Sequence, residues 1–152
     1  MKQEIFLTKE GLISAEDELG ELIEYRNTEV IPLLKTTRQQ TWNTEYMQVE
    51  AERDVLERRI DDLRVLINRA TIIEKADTNK VSIGTKVKLS FLQDNIVETY
   101  SIVGVPETNP FENKISHEAP IAKAILGRKV DDIVSIMRGP KEYQVKILGI
   151  TA

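Results

Sequence analysis

Apolar residues recur at Val49, Leu56, Ile60, Leu63, Ile67 and Ala70, and with Arg53 filling the one skipped position the gaps run 4, 3, 4, 3, 4, 3. That is the heptad spacing of a narrow coiled-coil seam, not the broad stripe of a helix laid on a globular core. A shorter seam precedes it at Leu12, Ala15, Leu19 and Leu22. Between Thr8 and Ala70 the only proline is Pro32 and the only glycines are Gly11 and Gly20, so two long helices are expected. Thr8 is placed to cap the first, and Glu10, Glu16, Asp17 and Glu18 lie near the positive end of its dipole. Weak helix formers cluster in Lys35–Thr44, which puts a hairpin turn near Gln40–Asn43. Helices joined by so short a connection run antiparallel. The second, taken as residues 44–70, would be roughly 40 Å long. Pro32 removes a helical hydrogen bond and crowds the preceding turn, which predicts a kink around residues 28–32. The charged remainder of the second helix, Glu52, Asp54, Glu57, Arg58, Arg59, Asp61, Asp62 and Arg64, reads as a solvated face.

Beyond the polar stretch Lys75–Asn79 the period changes from helical to alternating. Val87, Leu89 and Phe91, then Tyr100 and Ile102, then Ile133, Val134 and Ile136, then Tyr143, Val145 and Ile147 read as strands. Asp94-Asn95 and Gly139-Pro140 read as turns. One short helix interrupts them in Ala119–Gly127, with Pro120 at its first position and Gly127 just past its end. The expected organisation is therefore α+β: an antiparallel α-helical coiled-coil hairpin over residues 1–77, then a small, mostly antiparallel domain over 78–152.

Composition narrows the function. There is no cysteine and only one histidine, His117, which excludes disulfides, thiolate nucleophiles and histidine-rich metal sites. Phosphate-binding glycine loops and local Ser/His/Asp motifs are missing. The net charge is −4, a poor match for a free-standing nucleic-acid binder. Residues 1–79 hold 11 Lys/Arg and 17 Asp/Glu, and residues 80–152 hold 10 and 8. No apolar run reaches the ~18 residues that span a membrane, and the stretch at Met1–Leu7 is too short for a signal peptide. His117 reads as a surface residue of a polar loop, and Asp131-Asp132 as a solvated or capping turn. The residues thus describe a cytoplasmic binding factor, not an enzyme.

Several stretches together resemble the bacterial Gre transcript-cleavage factors of the GreA type. Thr8-Lys-Glu-Gly11 through Ala15, Glu18 and Leu19 resembles the family's T-x-x-G-x-x-x-L-x-x-E-L, with Ala15 for the leucine. Asn43-Thr44-Glu45-Tyr46 resembles N-A-E-Y, and Tyr100-Ser-Ile-Val-Gly104 resembles Y-x-I-V-G. Ile115-Ser116, Pro120-Ile121-Ala122, Leu126-Gly127 and Asp131-Asp132 resemble I-S-x-x-S-P-I-A-x-x-L-I-G-x-x-x-D-D. The match covers nearly the whole chain in order. It implies an FKBP-like C-terminal domain that docks on the rim of the RNA polymerase secondary channel. It also implies a coiled coil whose acidic tip helps the polymerase hold a second Mg²⁺ and cleave backtracked RNA.

The tip departs from that pattern. Where the family reads approximately G-D-L-K-E-N-A-E-Y, this chain has Gln39-Gln40-Thr41-Trp42 before Asn43, about three residues shorter and without either tip carboxylate. Glu45 matches a different family glutamate, on the descending helix. Ala119 replaces the serine before the proline, which removes a helix cap worth ~1 kcal/mol. The expectation is a monomeric regulator that binds bacterial RNA polymerase without stimulating cleavage, as an inhibitor or competitor. It carries no cofactor, metal ligand or catalytic residue of its own and meets nascent RNA only indirectly. Buried Pro120 and Ile121 beside Ser116, Glu118 and Ala119 would form the polymerase contact. Gln40, Thr41, Trp42, Asn43, Glu45 and Tyr46 would form the tip. The alternatives are a cleavage factor that uses Glu45 or another carboxylate, and a Gre-fold protein with a different partner.

Overall fold

The computed structural model describes residues 3–38 and 44–152. The chain divides into two compact units, Leu12–Ala70 on one side and Met1–Gly11 with Thr71–Ala152 on the other. The division thus falls after Ala70 and not after residue 77, and the N-terminal segment joins the second unit. The reason is a pairing the sequence does not advertise. Strand β1 (Phe6–Thr8) lies parallel to β2 (Thr71–Ile73), and the Ile5 carbonyl accepts the Thr71 N–H at 2.7 Å.

The first unit is a helical hairpin. Helix α1 (Lys9–Tyr25) passes into one π-helical turn at Arg26–Val30 and continues as α2 (Ile31–Thr37); α3 (Thr44–Arg69) returns. Glu18 pairs with Arg59 and Tyr25 with Glu52, which fixes the antiparallel sense. The expected kink takes the form of the π turn. The Ile31 N–H bonds to the Arg26 carbonyl, five residues back, and the ladder is widened just ahead of Pro32. The proline then sits in the first turn of α2, immediately after the widened ladder. Backbone angles stay right-handed helical at Tyr25, Val30 and Ile31, so the helix is widened rather than broken.

Val30, Leu34, Val49, Leu56 and Ile60 form the hairpin's buried cluster, flanked by Leu19, Leu22, Ile23 and Tyr46. Leu63 is buried as well, while Ile67, Ala70 and Arg53 are half-buried. The charged face is less uniformly solvated than expected. Arg59 donates two hydrogen bonds to Glu18, at 2.7 and 2.8 Å, and Arg26 donates two to Glu57, both at 3.1 Å. Asp54, Arg58, Asp61, Asp62 and Arg64 remain exposed.

The second unit holds a five-stranded sheet. Its strands are β3 (Lys86–Phe91), β4 (Ile96–Val103), β5 (Lys114–Ser116), β6 (Ile133–Arg138) and β7 (Lys141–Thr151), in the order β5-β4-β3-β7-β6. Only the β4–β5 pairing is parallel. The expected turns are present, with Asn95 and Gly139 at positive φ. Helix α4 (Pro120–Ile125) covers the sheet and buries Ala122 and Ile125 completely against Val87, Leu89, Ile136, Val145 and Ile147. Gly127, at φ +80°, ends it as expected. Among the described residues no helix is long and apolar enough to cross a membrane.

Candidate functional site

Two motif glycines converge on the start of α1. Thr8 caps the helix: its hydroxyl accepts the Gly11 N–H at 3.1 Å and donates to the Glu107 carboxylate, which also accepts the Thr8 N–H at 2.7 Å. A negative charge there complements the helix dipole. A Cβ on Gly11 would stand 2.3 Å from the Glu107 carboxyl carbon, and one on Gly104 would stand 1.7 Å from the Phe6 carbonyl oxygen. Glycine at both positions lets β1 and the α1 start close onto the end of β4 and the 3₁₀ turn Val105–Glu107.

This closure builds a cleft of about 310 Å³ whose walls include Ile5, Phe6, Val105, Pro106, His117 and Glu118. His117 is not the plain surface residue expected of a polar loop. It is half-buried, its N–H bonds to the Val103 carbonyl at 2.9 Å, and its ring meets Phe6 edge-on at 5.3 Å. Glu118 accepts a hydrogen bond from the Gln3 side-chain amide at 2.9 Å.

The segment from Ser116 to Ile121 contributes His117 and Glu118 to this cleft and then starts α4. Ser116 ends β5, and its hydroxyl accepts the Glu118 N–H at 3.1 Å while its carbonyl accepts the Ala119 N–H at 2.9 Å. That local turn sets Ala119 in extended conformation as the N-cap of α4, with no side-chain hydrogen bond there, as its lack of a hydroxyl requires. Pro120 is exposed rather than buried, because α4 turns Ala122 and Ile125 to the core and Pro120 lies off that face. Ile121 and Ala119 are half-buried and pack against the core. Ile125 and Leu126 pack on their own sheet.

The tip is only partly placed. Gln40, Thr41, Trp42 and Asn43 lie outside the described residues. Glu45 is exposed in the first turn of α3. Tyr46 is half-buried against the hairpin cluster, so its ring serves packing. Asp131-Asp132 form a turn: Asp131 has φ +75°, and the Asp132 carboxylate accepts the Lys129 N–H at 2.9 Å. Among the described residues no group of three or more His, Asp or Glu is placed to hold a metal ion.

Sequence reasoning missed Phe6, Val105 and Glu107. The apolar Ile5-Phe6-Leu7 run ahead of the Thr8 cap was the available signal for a strand. A larger cavity of about 350 Å³, lined in part by Lys9, Lys86 and Lys114 and by Glu10, Glu74 and Glu107, contains none of the sequence-predicted site residues.

Comparison with known proteins adds four findings. A family model described as "Transcription elongation factor, GreA/GreB, C-term" matches residues 76–152. The chain is 38% identical over 150 residues to the transcription elongation factor GreA of Halalkalibacterium halodurans, covering 95% of each. It is 40% identical over 149 residues to that of Geobacillus kaustophilus, covering 95% of this chain and 94% of the relative. Among solved structures it is similar to the GreA factor homolog 1 (Gfh1) protein of Thermus thermophilus, with 24% identity and a TM-score of 0.46, covering 99% of this chain and all of that one.

Proposed function

Because the chain belongs to the GreA/GreB family of transcription elongation factors, we propose that it binds RNA polymerase at the secondary channel and regulates elongation without stimulating transcript cleavage. The polymerase is the enzyme, and this chain is its accessory. The observation that carries the non-cleaving part is the tip sequence Gln39-Gln40-Thr41-Trp42-Asn43, which supplies no carboxylate. Mg²⁺ takes hard oxygen ligands and prefers carboxylates. A tip without them leaves a second active-site metal no better held than in polymerase alone, so the two-metal clamp on attacking and leaving oxygens is not strengthened. An inserted hairpin then only obstructs the channel.

The docking part draws support from the C-terminal unit. The Ser116–Ile121 segment, the stretch most like the family pattern, borders a mainly apolar cleft with polar groups at its rim. An apolar pocket ringed by polar groups is the usual form of a protein-binding hot spot. Exposed Pro120 and Glu118 are the groups free to meet a partner, while Ile121 holds the segment to its own core.

The test is retention on immobilised core polymerase together with inhibition of nucleotide addition. The intact chain should bind and slow elongation. Glu118→Lys with Pro120→Asp should abolish both while leaving the circular dichroism spectrum unchanged. Failure of the intact chain to bind would overturn the docking reading and favour a different partner. Strong cleavage of backtracked RNA, lost in Glu45→Ala, would identify Glu45 as the acidic ligand.

A further inference from the structure

The two edges of the five-stranded sheet are unlike. At one edge β5 has three residues, and its Lys114 is bridged by Asn109 of the preceding turn. That edge is short and partly covered, as sheet edges in soluble proteins usually are. At the other, β6 runs six residues, Ile133 to Arg138, in unbroken register with β7, and among the described residues nothing pairs with its outer side. The Asp132 carbonyl accepts the Ile147 N–H at 3.0 Å. By alternation Val134, Ile136 and Arg138 turn their backbone polar groups to β7, and Ile133, Ser135 and Met137 turn theirs to the open edge. The side chains of Ile133 and Met137 are 55% and 57% exposed. No proline or lysine interrupts the strand.

The edge sequence is complementary to itself. Read antiparallel about Ser135, the segment Asp132-Ile-Val-Ser135-Ile-Met-Arg138 sets Asp132 opposite Arg138, Ile133 opposite Met137, Val134 opposite Ile136 and Ser135 opposite Ser135. Odd-numbered residues carry the free hydrogen-bonding groups, so this register makes 133–137, 135–135 and 137–133 the hydrogen-bonded pairs and satisfies every open group of the strand. The Ile133–Met137 pairs fall on the exposed face, and Val134 and Ile136 lie on the face buried against the core. The charged pairs fall at both ends with opposite signs. We propose that β6 is a self-association edge: two copies of the chain pair through β6 about a two-fold axis at Ser135, joining their sheets into one. This replaces the expected monomer and is independent of the polymerase reading. An interface of one strand buries far less than the ~1,200 Å² of standard stable complexes, so the dimer is weak and concentration-dependent.

Cysteine cross-linking reads the register directly, because the chain has no cysteine of its own. Across a hydrogen-bonded antiparallel pair the Cα atoms are about 5.5 Å apart, within disulfide reach. Ser135→Cys should therefore oxidise to a covalent dimer. Met137→Cys, whose symmetry mate lies roughly 13 Å away along the strands, should do so at least about tenfold more slowly. In sedimentation from micromolar to millimolar concentration the unmodified chain should shift from 17.3 kDa toward twice that mass. Arg138→Glu, which faces Asp132, should weaken association about tenfold. Ser135→Pro should stay monomeric, and its N–H faces the open edge, so no ladder bond is lost. A monomer throughout that range would overturn the proposal, as would equal cross-linking at positions 135 and 137.

Discussion

Among the described residues, the hairpin's buried cluster has five members drawn from two antiparallel arms, and the seam is edged by ion pairs at Arg26–Glu57 and Arg59–Glu18. In the sheet unit twelve buried residues from four strands, one helix and the Val81 segment enclose one another. Each hairpin residue is therefore a larger share of its unit's cohesion, but it is also closer to solvent and better able to relax. The difference teaches where the two parts can change. A seam tolerates alteration at its end, whereas a closed core constrains every element around it. The segment between α2 and α3 is such an end, and its Gln39-Gln40-Thr41-Trp42-Asn43 sequence carries no carboxylate.

The sharpest way to break this comparison is to cut one buried isoleucine in each unit. Ile147→Ala should cost about 4 kcal/mol and Ile60→Ala about 3, since a hairpin closes around a void more readily than a sheet core does. Chemical denaturation gives the totals and hydrogen exchange gives the location. Loss of protection in α3 alone for Ile60→Ala, and in β3 and β7 for Ile147→Ala, is the expected pattern. Equal loss everywhere in both variants would mean that the two units unfold as one.

Gly104→Ala should come next, at about 2–3 kcal/mol, because its Cβ meets a backbone oxygen rather than a flexible side chain. The expected local sign is loss of the β1–β2 pairing, read as faster exchange at Thr71.

A titration sharpens the contrast further. Burial, reinforced by the hydrogen bond to Glu98, pushes the Tyr100 hydroxyl from 10.0 up to about 12. A raised pKa favours the neutral phenol in the folded chain, so its stabilisation is complete below pH 10 and is lost as pH climbs toward 12. Thermal melts of the sheet unit should fall over that window, and Tyr100→Phe should flatten the fall. The smallest effect belongs to the hairpin rim. Arg59→Ala should cost ~0.5 kcal/mol in low salt and nothing measurable in high salt, since the pair is largely exposed.

What could be read ahead of the structure follows from how much signal each feature carries in one dimension. The heptad of α3, the alternation in β3, β6 and β7, and the Pro120…Gly127 frame of α4 are local patterns and lie where the residues indicate. β1, β2 and β5 have three residues each, too few for a period; β1 and β2 pair from either end of the helical segment, and β5 pairs in parallel with the nearby β4 instead of through a hairpin. The π turn was legible only as a proline in the wrong place. The site divides the same way. Ser116, Glu118 and Ala119 were legible as one local turn ahead of α4, but the cleft that Glu118 borders depends on Phe6 reaching His117 across most of the chain. Nothing in the sequence near His117 records that contact.

On the function proposed above, the tip decides whether this chain stimulates cleavage. That is tested most directly on one gel of backtracked elongation complexes, which measures the RNA cleavage rate with the unmodified chain and with a variant whose Gln40–Trp42 is replaced by a longer loop bearing Asp and Glu. The unmodified chain should leave the rate at or below that of polymerase alone, and the acidic loop should raise it well above. Robust cleavage by the unmodified chain, or none from an acidic variant that still binds polymerase, would contradict it.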